Sequence, residues 1–305
     1  MTQLDEQILV GTVSRLINIV SHPIEYARVL MQIGHEPILP RPTTTLFRRP
    51  ALVLPNVFEY VKYIKNVDGI SGCYRGVIPK MCADSISAVA FNKTLKSVKK
   101  LMNDMNKEKK EEGKEESEED ERYKIFIYEL IQSLSCRMVA IVASHPFDVI
   151  SIRMMAQFVG RETKYNGLFR SIMEVYKENG VMGYYAGLVP RLIGNAAAII
   201  LFSTFSYLID RYILNDEVTK VYVDATIRVI ATTVTYPYLV VSHSMAVNNC
   251  GLVAGLPPHM PIYTGWLDCW SHLSATKQLQ RGQSLIWRYY AGQQIIRNGK
   301  PIVLH

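Results

Sequence analysis

Charge is scarce in this 305-residue sequence: charged residues make up 20% against 49% hydrophobic. That excludes a disordered chain, and it is a low charge content for a soluble enzyme. Long apolar runs are scarce too, so a bundle of simple lipid-facing spans does not fit either. Cysteine is sparse and odd in number. Cys73, Cys82, Cys136, Cys250 and Cys269 contain no C-x-x-C pair, which excludes a disulfide framework and a zinc site. There is no P-loop, zinc-finger spacing or RNP-like aromatic run, so neither a nucleotide site nor nucleic-acid binding is expected. The first six residues carry Asp5 and Glu6 but no Lys or Arg, unlike a secretory signal or an Arg-rich presequence. Any organelle address is therefore expected inside the fold.

The charge that is present is unevenly placed. The net value is +7, yet residues 104–121 hold ten acids and four lysines. A Glu/Lys tract without aromatics reads as a solvated, mobile loop, here 104–122. The rest of the chain is basic, which suits an anionic membrane surface.

Three repeats organise the chain. Each has a proline inside an apolar helical pattern: Ser21-His22-Pro23, Ser144-His145-Pro146 and Thr235-Tyr236-Pro237. A second marker follows each proline. It reads Asp68-Gly69 then Tyr74-Arg75-Gly76, Asn179-Gly180 then Tyr185-Ala186-Gly187, and Arg281-Gly282 then Trp287-Arg288-Tyr289. Repeat one spans 1–103, repeat two 123–215 and repeat three 216–305.

Each repeat reads as a helix, a loop with a short helix, the marker and a second helix. The first helices are expected at 8–32, 124–158 and 221–247, each bent by its proline. Second helices follow Gly76 and Gly187. After the third marker the remaining fourteen residues are too few for a span. The expectation is thus five spanning helices where the pattern would give six. Stretches 192–209 and 229–247 carry no charge and reach spanning length.

Helical spacing groups polar residues into stripes. Arg15, Asn18, His22, Glu25 and Arg28 share one. Glu129, Ser133 and Arg137 share another, as do Arg191 with Asn195, and Asp224 with Arg228, Thr232 and Thr235. Two readings stand: a wet, charged groove, or internally paired groups that hold the bundle together. The linkers around Tyr165–Phe169 and Tyr263–Trp270 mix aromatic and polar residues. They suit either a membrane interface or docking on a soluble surface.

Pro-x-acid-x-x-base followed by acid-Gly-x4-aromatic-base-Gly resembles the signature of the mitochondrial solute carrier family. The stretches MAVNNCG at 245–251, PIYTGWLDCW at 261–270, QFVGRETKY at 157–165 and AGLVPR at 186–191 resemble its divergent carrier-homolog branch. The resemblance spans essentially the whole chain. It implies an all-α membrane protein with a threefold carrier-like repeat, here lacking the sixth transmembrane helix and carrying an open lateral groove.

The resemblance also implies that the acid and base after each proline pair to close a gate. Repeat one keeps Pro23, Glu25 and Arg28. Repeat two keeps Pro146 and Asp148 but has Ser151 at the base position, with Arg153 two residues on. Repeat three has Pro237, then Leu239 and Ser242. A gate of three ion pairs cannot be assembled, which argues against ordinary solute carriage.

The carrier-homolog branch implies residence in the mitochondrial outer membrane. It also implies insertion of tail-anchored and other α-helical proteins, phospholipid scrambling and a receptor role for a pro-apoptotic BH3 protein. No cofactor, metal or catalytic residue is implied. On this reading Arg28, Asn195, Tyr236, His243 and Asn248 line the path of the client. Glu25 and Asp148 are remnants of the gate, pairing with Arg28 and Arg153, with Pro23, Pro146 and Pro237 as its bends. A solute transporter and a non-transporting receptor or scaffold are the alternatives.

Overall fold

The computed structural model describes residues 3–44, 50–111, 118–212, 217–290, 294–297 and 300–303. The side chains of Arg15 and of the acidic tract from 105 to 119 lie outside the described residues. The expected helices are present. The first of each pair are α1 (Gln3–Gln32), α4 (Glu118–Ala156) and α7 (Glu217–Val247), holding Pro23, Pro146 and Pro237 in their interiors. Second helices are α3 (Val77–Glu111) and α6 (Leu188–Tyr212). Short helices α2 (Val57–Gly72) and α5 (Leu168–Asn179) lie between the members of the first two repeats, and α8 (Trp266–Ala275) follows α7.

Two expectations change. The loop expected at 104–122 is largely helix, because α3 runs to Glu111 and α4 begins at Glu118. Glu and Lys are strong helix formers whose pairs support one another a turn apart. Residues 112–117 lie outside the described residues. Strands were not expected, yet β1 (Arg41–Thr44), β2 (Pro50–Leu54) and β3 (Arg288–Tyr289) form an antiparallel sheet in that order. Pro42 sits in the edge strand β1, where its missing N–H does least harm. Strands β4 (Gln294–Arg297) and β5 (Lys300–Val303) form a hairpin after the third marker.

The chain divides into two compact units. Unit one holds Met1–Met81, Phe147–Gly187 and Val240–His305. Its core is dense. Phe158 is near-perpendicular to Tyr26, His35 and Tyr63, at 6.1–6.2 Å between ring centroids. Leu30, Met31, Tyr60, Ile64, Ile150, Met155, Leu252 and Leu273 are fully buried. Each large apolar side chain so placed contributes about 1.5–3 kcal/mol.

Unit two holds Cys82–Pro146 and Leu188–Leu239, and its apolar surface is turned outward. Among the described residues, Asp120–Ala156 and Val181–Arg211 are long and apolar enough to cross a membrane. Only 17% and 6% of their most apolar stretches are buried, whereas a soluble core helix would be mostly buried. Val139, Val142, Ile200, Phe205 and Leu208 are all exposed. The 229–247 stretch does not reach the same apolarity, because its Thr, Tyr and His residues dilute its valines.

Candidate functional site: a polar cavity among apolar helices

Three helices of unit two each turn a polar stripe toward one space. From α4 come Glu129 and Ser133, one turn apart. From α6 come Ser203, Ser206 and Asp210, and from α7 Lys220 and Asp224. They line a cavity of about 890 Å³, with Arg122 and Arg211 also on its wall. Three acids and three bases face it, so its formal charge is balanced. Lys220 is ion-paired with Asp210, and Ser206 Oγ donates to the Asp224 carboxylate. Aromatic rings add to the polar wall: Phe126 stacks on Tyr207 at 4.5 Å. The Arg228 guanidinium lies 4.5 Å above the Phe202 ring. Charges on helices of this apolar kind are costly unless they meet one another or water.

The sequence stripes at Glu129/Ser133 and at Asp224 converge here. The stripe on α6 was missed. Reading 192–209 as a charge-free span concealed Ser203, Ser206 and Asp210, although their i, i+3, i+7 spacing would have shown them on one face.

The cavity wall contains none of Arg28, Asn195, Tyr236, His243 or Asn248. Asn195, in the same unit, is held by its neighbours. Arg137 Nε donates to its Oδ1 at 3.3 Å, and its Nδ2 donates to the Arg191 carbonyl at 2.8 Å. Arg191 Nη1 in turn donates to His145 Nδ1 at 3.2 Å. Tyr236 is buried.

In unit one, His243 Nδ1 donates to Gln32 Oε1 at 2.6 Å. Asn248 spends both ends of its amide on one backbone: Nδ2 donates to Tyr263 O at 2.8 Å, and Tyr263 N donates to Oδ1 at 3.0 Å. Gln157 does the same to Tyr165 in repeat two, at 3.1 and 3.0 Å. These two amides latch the segment that leads into α8 and α5.

The gate positions are rebuilt within unit one. Ser151 Oγ donates to Gly76 O, and Ser242 Oγ donates to Gly187 O, both at 2.8 Å. Arg28 Nε donates to Gly282 O, in the third marker, at 3.2 Å. Each residue five past its proline thus holds a marker glycine of the preceding repeat, taken cyclically. Glu25 and Asp148 do not follow the expected pairing. Lys80 Nζ lies 3.1 Å from Glu25 and 3.5 Å from Asp148, bridging both. Arg153 is fully buried and donates to Ala246 O at 2.9 Å and to the Tyr165 hydroxyl at 3.4 Å.

Three long helices with an interior proline, marker glycines held by the helix of the next repeat, and apolar helices around a polar cavity define a carrier-type membrane protein. The family model described as mitochondrial carrier protein matches residues 3–106 and 124–216, and the chain belongs to that family. It is 37% identical to Mitochondrial carrier homolog 2 of Homo sapiens over 293 residues, covering 94% of this chain and 95% of the relative. It is 35% identical to Mitochondrial carrier homolog 1 of Mus musculus over 295 residues, covering 89% and 74%. Similarity to Solute carrier family 25 member 16 of Mus musculus is 33% over 100 residues, covering 29% and 30%. It is thus a mitochondrial membrane protein whose similarity extends over far more of its length to the carrier homologs than to that solute carrier.

Proposed function

We propose that this protein is an insertase of the mitochondrial outer membrane, passing the polar end of tail-anchored and other α-helical proteins through the cavity between α4, α6 and α7. One observation carries the reading: a charge-balanced polar cavity set among helices whose apolar surfaces are exposed. An unsatisfied polar group in hydrocarbon costs several kcal/mol. Paired acids and bases at that depth offer it partners of either sign. The exposed apolar flanks then let the client's own helix pass into lipid. The same path would serve a phospholipid headgroup, which makes scrambling a companion activity. A receptor role for a BH3 protein is a further part of the proposal.

Carriage of a small solute is supported less. Two of the three gate positions are serines holding glycine carbonyls, and such bonds do not exchange partners in the way a cycle of ion pairs would.

The test is the purified full chain in liposomes, with protease protection of a tail-anchored substrate and dye-labelled lipid flipping followed together. Insertion is expected to rise with protein. Asp224→Leu with Glu129→Leu is expected to lower it several-fold while the melting temperature is held. Well-folded protein that raises insertion no more than empty liposomes overturns the reading.

A further inference from the structure

The polar stripe of α7 outruns the cavity. Lys220 and Asp224 stand on the cavity wall, and Arg228 and Thr232 continue the same face one and two turns beyond Asp224. The charges along it are held differently. Lys220 is ion-paired with Asp210 and Asp224 accepts from Ser206, both on α6. Arg228 instead lies over the Phe202 ring of α6, 4.5 Å from its centroid, and among the described residues no ion pair neutralises it. Both Arg228 and Thr232 are exposed. Stacking takes one face of the planar guanidinium and leaves the N–H donors around its edge.

The surface of α7 changes character at this residue. Successive positions turn by about 100° round a helix. Ile227, Ala231 and Thr235 form a narrow buried stripe. Arg228 and Thr232 border it, and Tyr222 and Val229 come next round the helix, 71% and 65% exposed. Ile230, 58% exposed, lies on the far side. A cation fixed on a ring thus sits between the polar wall of unit two and an exposed apolar helix face.

We infer that Arg228 binds the phosphate of a phospholipid headgroup, with the acyl chains along the Tyr222–Val229 face. The guanidinium fork matches two oxygens of a phosphodiester. A soluble anion would use the cation alone. A phospholipid uses the cation and the adjoining apolar face together, which favours lipid. A cation on a helix of this kind is costly without a counter-charge or water, and the headgroup supplies the first. The inference deepens the scrambling part of the reading above and rests on the same cavity.

The experiment uses the full chain with Cys82→Ser, the remaining cysteines being buried. A bimane label is attached at Thr232→Cys or Ile230→Cys, positions about 3 Å apart along the axis but on opposite faces of α7. The vesicles are phosphatidylcholine, a fraction of it carrying a nitroxide on the headgroup or, separately, on the acyl chain. Headgroup nitroxide is expected to quench the label at 232 several-fold more than the label at 230, with the acyl nitroxide showing the reverse. Arg228→Gln is expected to remove most of the headgroup quenching at 232, and Arg228→Lys to keep part of it. Equal headgroup quenching at 232 and 230, or no change at 232 in Arg228→Gln, overturns the inference. Displacement of the headgroup by inorganic phosphate also overturns it, since the site then takes soluble anions. Insertion is followed in the same vesicles. Insertion without headgroup quenching at 232 overturns this inference alone, and headgroup quenching without insertion overturns the earlier reading alone.

Discussion

Ser242 Oγ donates to the carbonyl of Gly187, and a Cβ added at Gly187 would lie 2.3 Å from the carbonyl oxygen of Ser242. The two backbones meet closer than any side chain permits. Gly187 also has φ +77°, a conformation that other residues adopt only under strain. Gly76 repeats the arrangement against Ser151, with φ +85° and a Cβ contact of 2.9 Å.

Gly187→Ala is therefore expected to lose at least about 2 kcal/mol from strain and clash together. Gly167 is the control: its φ is +80°, but nothing lies within 4 Å of its added Cβ. Gly167→Ala should lose only the backbone contribution, about 1–3 kcal/mol for a positive φ with extended ψ. Thermal unfolding of both variants in detergent separates the two effects. Equal losses would mean that helix contact at Gly187 contributes nothing.

Asn248→Asp keeps the acceptor for Tyr263 N but turns a carboxylate oxygen on Tyr263 O, where the amide had donated. A loss of about 1–3 kcal/mol is expected. Trp266 and Trp270 in α8 should report it, because the latch holds the segment leading into that helix. Their fluorescence should change at lower denaturant in Asn248→Asp than in the parent protein.

Lys80→Met removes the cation that Glu25 and Asp148 both face, and Asp148 is only 7% exposed in its side chain. The expected loss is roughly 2 kcal/mol, with part recovered in Lys80→Met/Asp148→Asn. Unfolding of the two variants checks this. A double variant no more stable than the single one would show that the bridge does not hold unit one together.

His35 gives stability a dependence on pH. Burial, and then the charge of His259, lower its pKa from 6.5 to about 4. Between those values the unfolded chain binds the proton and the folded chain does not. The contribution is thus fully present above about pH 6.5 and is lost as pH falls toward 4. His35→Phe should flatten the melting temperature over that range. It also preserves a ring against Phe158. An unchanged slope would place the dependence on another group.

Much of this was readable from residue order. A proline inside an apolar run bends a helix wherever it falls, and spacing alone puts Glu129 and Ser133 on one face. The family could be recognised for the same reason, since its signature lies in local strings. Local spacing could not show that Lys80 joins Glu25 to Asp148, or that the Asn248 amide bonds the backbone of Tyr263 at both ends. Those partners are separated by tens of residues, or set by a loop whose path no periodicity describes.

The sequence by itself determined the long helices, their interior prolines, the threefold repeat and the loss of charge at two gate positions, because each is a property of residue type at fixed spacing. Tertiary structure alone decided what replaced that charge. A serine hydroxyl can bond its own helix, water or a distant carbonyl. Only the close approach permitted by Gly76 and Gly187 selects the third. The cavity was decided in the same way: stripes on α4, α6 and α7 become one polar space only when packing turns them toward each other.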